Sequence, residues 1–219
     1  MSVDISHLKV ILTELKEHNA TLVAVSKKKS VDEIKQVYNT GHKIFGENYV
    51  QELKEKYGAL PKDIQWHFIG HLQTNKVRVI ASFVSLIQSV DSLKLLKEIN
   101  KEAEKNNRVI NCLLQIHIAQ EETKFGLSFE EAETLLHSPE LKQLKNISIN
   151  GLMGMATFTE DENKIRSEFQ TLKNFRNRLR TPNSPLPTLS MGMTSDYRIA
   201  LEEGSNMVRI GSAIFGERI

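Results

Sequence analysis

The chain carries one cysteine in 219 residues, Cys112. A lone cysteine forms no internal disulfide, which fits a reducing compartment. Its place in the apolar run Cys112-Leu113-Leu114-Gln115-Ile116 reads as a small buried hydrophobe. Long apolar runs are also missing, and none approaches the roughly 20 residues that a membrane helix needs. The N-terminus has no signal-peptide core, because Asp4, Lys9 and Glu14 interrupt it. Charge of one sign is scarce: the formal net charge is +2. The basic residues are spread along the chain apart from Lys27-Lys28-Lys29, so neither a nucleic-acid nor a membrane footprint is expected. There is no internal repeat, low-complexity tract or linker. Residues 181–187 are the one proline-rich stretch and read as a loop. With 40% hydrophobic and 26% charged residues, what remains is an ordinary globular composition. The expectation is a cytoplasmic protein with one domain spanning residues 1–219.

What is present is a regular alternation of short apolar runs and amphipathic helices. Runs at 21–26, 43–45, 65–69, 84–88, 111–118, 147–153, 188–191 and 207–210 read as strands. Several are continuously apolar, as expected of parallel strands covered by helices. Ser30 with Glu33, Ser128 with Glu131, and Thr159 with Glu162 each fit the capping box that opens a helix. Ile165, Phe169, Leu172, Phe175 and Leu179 fall on one helical face, as do Leu93, Leu96, Ile99 and Ala103. Ile5, Leu8, Leu12 and Leu15 predict one more helix ahead of the first strand. Eight βα units in about 200 residues predict an α/β fold, a single (β/α)8 TIM-type barrel with an extra N-terminal helix. A doubly wound open sheet is the alternative.

In such a barrel, chemistry collects where strands end. Gly211-Ser212 follows the last strand and offers bare backbone N–H groups and a hydroxyl, which suits a phosphate. The Gly-Met-Thr segment ending at Thr194 adds donors. Lys27 shares strand parity with Val23 and Val25, so it can point along the barrel interior, where desolvation makes its neutral amine more available. Read locally, a solvated basic turn at Lys27 to Lys29 is the stronger reading. His67 and His71 are four apart, but Gly70 and the strand pattern break the helical face of a metal pair, and no metal site is expected. His117 reads as a packed residue of strand five, and Glu47 and Glu52 as structural ion-pair partners. Lys76 has no assignable role.

Taken together, the strand ends are recognisable. The matching stretches are Ala24-Val25-Ser26-Lys27, Phe45-Gly46-Glu47-Asn48-Tyr49-Val50-Gln51-Glu52 and Trp66-His67-Phe68-Ile69-Gly70-His71-Leu72-Gln73-Thr74-Asn75-Lys76. They continue through Gly151-Leu152-Met153, Leu189-Ser190-Met191-Gly192-Met193 and Val208-Arg209-Ile210-Gly211-Ser212-Ala213-Ile214-Phe215-Gly216. In this order they resemble the pyridoxal phosphate homeostasis proteins, a family related to the N-terminal barrel of alanine racemase. The resemblance implies pyridoxal 5′-phosphate (PLP) held as a Schiff base on Lys27, with Gly211, Ser212 and residues 190–194, Ser190 and Thr194 among them, around the phosphate. It implies Arg209 at the pyridine nitrogen and Asn48 beside the cofactor. Thr194 stands where the family usually has Ser, and it keeps the hydroxyl.

Three functions follow as expectations. The first is a PLP carrier without catalytic residues, which buffers the cofactor or delivers it to PLP-dependent apoenzymes and works as a monomer. The second is a PLP-dependent amino-acid racemase. The third is a barrel for another phosphate ester. A fixed cation at the pyridine nitrogen disfavours its protonation and weakens the ring as an electron sink. The chain also ends just after the phosphate loop, with no evident second acid/base group for two-base racemisation. Both favour the carrier.

Overall fold

The computed structural model describes residues 3–120, 125–182 and 184–216. Eight parallel strands close into a barrel in sequence order: β1 (Thr21–Val25), β2 (Ile44–Glu47), β3 (Gln65–Phe68), β4 (Leu86–Val90), β5 (Ile110–Ile116), β6 (Ile147–Gly154), β7 (Thr188–Ser190) and β8 (Met207–Ile210). Closure rests on β1 pairing with β8 from Thr21 opposite Met207 to Ala24 opposite Ile210, which sets the open-sheet alternative aside. The helices are α1 (Ile5–Glu17), α2 (Val31–Tyr38), α3 (Val50–Ala59), α4 (Val77–Ile80) and α5 (Leu93–Lys105), then α6 (Phe129–His137), α7 (Pro139–Gln143), α8 (Glu162–Leu179), α9 (Tyr197–Glu202) and α10 (Ser212–Phe215). The expected extra N-terminal helix is α1, which buries Leu8, Ile11 and Leu15.

Pairing, more than hydropathy, sets the strand ends. β2 runs on to Glu47, and β4 lies two residues later than its apolar run suggests. β5 stops at Ile116, so His117 lies beyond the strand, half-buried, with its N–H donating to the Leu127 carbonyl. Two of the expected capping boxes form, at Ser30 and Ser128. The third does not. Asp161 caps α8 instead, its carboxylate accepting from the N–H groups of Asn163 and Lys164, while the Thr159 hydroxyl accepts from Asp161 in the turn before. A carboxylate next to the helix start outcompetes a hydroxyl two residues back.

The large apolar core lies between the outer strand faces and the helices, and Cys112 is fully buried in it. A second, small cluster of Leu86, Leu113 and Met153, with Met155 and Met207 against it, fills part of the barrel interior. The rest of the interior is polar: His67, Gln88, Ser190 and Arg209 are each 5% exposed or less. The β7–β8 junction is thin, with one paired position, Ser190 opposite Met207. Asn206 reinforces it, accepting from Leu189 N–H at 2.8 Å and donating to the Pro187 carbonyl at 2.8 Å. Among the described residues, no helix is long and apolar enough to cross a membrane.

Candidate functional site

Lys27 lies two residues past the end of β1, half-buried. On the same side of the strand, Val23 packs inside the barrel against Gly46, where an added Cβ would come within 2.8 Å of it. The turn is anchored on both flanks of Lys27 by α3. On one flank, Ser26 Oγ donates to Glu47 Oε1 at 2.6 Å, and Lys56 Nζ donates to the Ser26 carbonyl and to Glu47 Oε1, both at 2.7 Å. On the other, Glu52 Oε1 accepts from Lys56 at 2.6 Å and from the Lys28 N–H at 2.5 Å. Lys28 itself takes a left-handed conformation, φ 61°, which the Glu52 contact helps hold. Burial pushes the Glu47 carboxyl up, and the Lys56 ammonium beside it pulls the other way. Lys29 donates to the Phe215 carbonyl at 2.6 Å and pairs with Glu33 at 3.6 Å. The three lysines are therefore differently committed, and no uniformly solvated basic turn forms.

The same mouth is built from the loops after β7 and β8. Gly192 turns at φ +98°, and a Cβ there would lie 2.7 Å from the Ala200 Cβ. The Gly211 N–H donates to Thr194 Oγ1 at 3.4 Å, which joins the two loops. A Cβ at Gly211 would sit 3.1 Å from the Val25 carbonyl, so the end of β8 packs on the end of β1, next to the Lys27 turn. Ser212 is exposed at the start of α10.

Arg209 is 4% exposed. Nη1 donates to Ser190 Oγ at 2.6 Å and Nη2 to the Gly154 carbonyl at 2.9 Å, which leaves further N–H groups of its five for a ligand. Burial lowers the guanidinium to about 10, and the Asp196 carboxylate opposes that, so Arg209 is a cation at neutral pH. Ser190 is set apart from the loop that carries Thr194. Its hydroxyl is engaged by Arg209 and Gln88 inside the barrel.

Asn48 follows β2 at the same mouth. Its Oδ1 is buried without a hydrogen-bond partner, and so is Oε2 of Glu47 next to it. A buried unpaired acceptor at the mouth that also carries the Lys27 turn and the loops after β7 and β8 fits a polar ligand that completes the site. Asn48 also borders a cleft of about 360 Å³ whose lining includes Tyr49, His71 and Lys76. His67 and His71 are separated: His67 is inside the barrel with Nδ1 3.0 Å from Gln88 Nε2, and His71 stacks on Phe125 and faces Asp91 at 3.3 Å.

Lys56 and Gln88 escape the sequence reading. The Glu52–Lys56 spacing of four residues on a helix was a visible signal for one. A glutamine inside the apolar run 84–88 was a signal for the other.

Comparison with known proteins identifies the chain's relatives. The family described as alanine racemase, N-terminal domain, matches residues 3–219. The pyridoxal phosphate homeostasis protein of Aquifex aeolicus is 43% identical over 204 residues, covering 92% of this chain and 89% of that protein. The protein of the same name from Schizosaccharomyces pombe is 36% identical, with 91% and 85% covered. Among solved structures, PipY of Synechococcus elongatus with PLP bound superposes with a TM-score of 0.85 at 31% identity, covering 96% of this chain and 99% of that one. Alanine racemase of Clostridium difficile shares the fold, with a TM-score of 0.74 at 14% identity; this chain covers 58% of its length.

Proposed function

The chain belongs to the pyridoxal phosphate homeostasis proteins, and from that premise we propose that it carries PLP covalently on Lys27, buffering the cofactor or delivering it to apoenzymes. The observation that supports this reading most is the meeting of the Lys27 turn with the Thr194–Gly211 loops at one barrel mouth, Gly211 packed on the Val25 carbonyl. The Lys27 amine forms a C=N bond to the aldehyde carbon of the cofactor, and the carbonyl oxygen leaves as water. The Gly211 N–H exchanges its long 3.4 Å contact with Thr194 Oγ1 for the phosphate, which the Ser212 N–H and the Thr194 and Ser212 hydroxyls also hold. Asn48 offers its unpaired amide oxygen at the same mouth. Arg209 stands at the ring nitrogen and keeps it unprotonated, while Ser190 contributes through Arg209. When bound, PLP supplies a reactive aldehyde and a potential electron sink, and that sink is weak without a ring proton.

A carrier also fits three of the four tyrosines, all but Tyr49, which lines the cleft beside Asn48. Tyr197 donates its hydroxyl to Glu14 at 2.7 Å, Tyr38 donates to Asp63 at 2.8 Å, and Tyr57 is stacked on Phe83. None of these is poised as the second acid/base group that racemisation needs. The cytoplasm is the compartment that fits, and a monomer the form.

The test is the absorption spectrum with PLP, followed by borohydride reduction and mass mapping. The expected result is a long-wavelength C=N band and a pyridoxyl adduct on Lys27, both absent from a folded Lys27→Ala variant. A band retained by that variant would overturn the assignment. Holoprotein incubated with alanine in deuterated water is expected to leave the α-proton unexchanged, and exchange would favour the racemase instead.

A further inference from the structure

Four side chains from four strands meet in the middle of the barrel: His67 on β3, Gln88 on β4, Ser190 on β7 and Arg209 on β8. Arg209 Nη1 donates to Ser190 Oγ at 2.6 Å, and Ser190 Oγ donates to Gln88 Oε1 at 2.7 Å. Gln88 Nε2 lies 3.0 Å from His67 Nδ1. The direction of every bond follows from the guanidinium at one end and the Gln88 amide in the middle. A guanidinium only donates, so the Ser190 oxygen accepts from it, and with Gln88 Oε1 facing Ser190 the single Ser190 proton goes on to Gln88. The Gln88 amide stands with Oε1 toward Ser190 and Nε2 toward His67. An amide nitrogen only donates, so His67 Nδ1 is the bare nitrogen and the imidazole proton sits on Nε2.

The glutamine is not there for packing. Its interior neighbours Leu86, Leu113 and Met153 fill the same barrel with apolar groups, and burying an amide costs free energy unless its bonds are made. Its other contact, Met207 Sδ at 3.3 Å from Nε2, does not call for an amide. What the amide alone provides is an acceptor for Ser190 whose own orientation is locked from behind by His67.

We propose that Gln88 is a positioning residue for Arg209, holding Ser190 and through it the guanidinium at one fixed place under the cofactor ring. This rests on the reading that Arg209 faces the ring nitrogen. Gly154 anchors Nη2 and Ser190 anchors Nη1, so the plane of the guanidinium is set by two points. With the Ser190 anchor loosened, the guanidinium keeps the Gly154 contact and the attraction of the Asp196 carboxylate but loses the bond that fixes Nη1.

The experiment compares the PLP-loaded protein with Gln88→Leu and Gln88→Glu. Gln88→Leu is expected to keep the pyridoxyl adduct on Lys27 after borohydride. Its cofactor off-rate is expected to rise about tenfold, the worth of one hydrogen bond to a charged group. The absorption band of the parent is expected to stay constant with pH, and that of Gln88→Leu to titrate as the ring nitrogen gains a proton. Gln88→Glu keeps an acceptor for Ser190 and should return both readings toward the parent, with His67 moving its proton to Nδ1. A merely structural glutamine would change melting temperature without adding a spectral titration. Should Gln88→Leu not fold, Ser190→Ala breaks the same link from the other side. Parent-like off-rate and spectrum in a folded variant overturn the proposal. A parent protein that forms no adduct overturns the binding reading, and the proposal with it.

Discussion

His67 shows how much a single neutral side chain can hold at risk. It is enclosed in the barrel, and burial, with a smaller contribution from His42, lowers its pKa to about 4. In the unfolded chain the group titrates near 6.5. Between those values the unfolded chain binds the extra proton and the folded one does not, so stability rises with pH. Its contribution is complete above about 6.5 and is lost as pH falls toward about 4, a difference on the order of 3 kcal/mol. Protonation would also place a second donor against Gln88 Nε2, so the hydrogen bond is lost along with the desolvation. Urea unfolding at pH 7 and pH 4.5 tests this. The expected result is a larger acid loss in the parent than in a His67→Gln variant, whose interior holds nothing to protonate. Equal losses in the two proteins would show that the carboxylates alone carry the acid sensitivity.

At the scale of elements, α3 acts as the clamp on the end of β1. Lys56 Nζ has three donors and three acceptors, the Ser26 carbonyl, Glu47 and Glu52, so its ammonium is fully satisfied with 6% of the side chain exposed. Removing one member of such a buried set leaves the other charge uncompensated, whereas removing both is far milder. Lys56→Met is therefore expected to cost about 3–5 kcal/mol, and Lys56→Met combined with Glu47→Gln to recover much of it. Denaturant titration measures both, and adduct yield on Lys27 should fall only where the turn has come loose. A double variant no more stable than Lys56→Met would mean that packing, not charge, is what Lys56 provides. The elements themselves were legible in the sequence because parallel strands covered by helices are apolar throughout, and because Ser30 and Ser128 sit three residues before glutamates. The ends of strands were less so, since partner register sets them. The pairing within the interior chain was hidden for a different reason: Ser190 and Gln88 are 102 residues apart, and only barrel closure makes them neighbours. Gly70 was equally opaque. Its need is a backbone contact, an added Cβ lying 2.3 Å from the Asn48 carbonyl, which no local pattern encodes.

Across the whole molecule, the proposed cofactor contacts join the strands at which the barrel closes. Lys27 extends from β1, Asn48 follows β2, and Thr194, Arg209 and Gly211 belong to β7, β8 and their loops. The β7–β8 junction among them is the thin one, with a single paired position. A ligand that bonds to all of these binds the closed barrel and not the unfolded chain, so it stabilises the whole fold by mass action. At a free concentration of 100 times the dissociation constant the gain is about 2.7 kcal/mol. For a domain of this size each kcal/mol raises the melting temperature by roughly 2–4 °C, giving a shift of about 5–10 °C. The covalent and non-covalent shares separate by choice of ligand. Pyridoxine phosphate lacks the aldehyde and keeps the ring and phosphate, so it should shift the parent and Lys27→Ala by similar amounts. PLP should shift the parent further than the variant at the same concentration. If neither ligand moved the melting temperature of either protein, the closing strands would not be held together by this cofactor. If PLP moved both equally, Lys27 would contribute no binding free energy and the phosphate loops would carry the affinity alone.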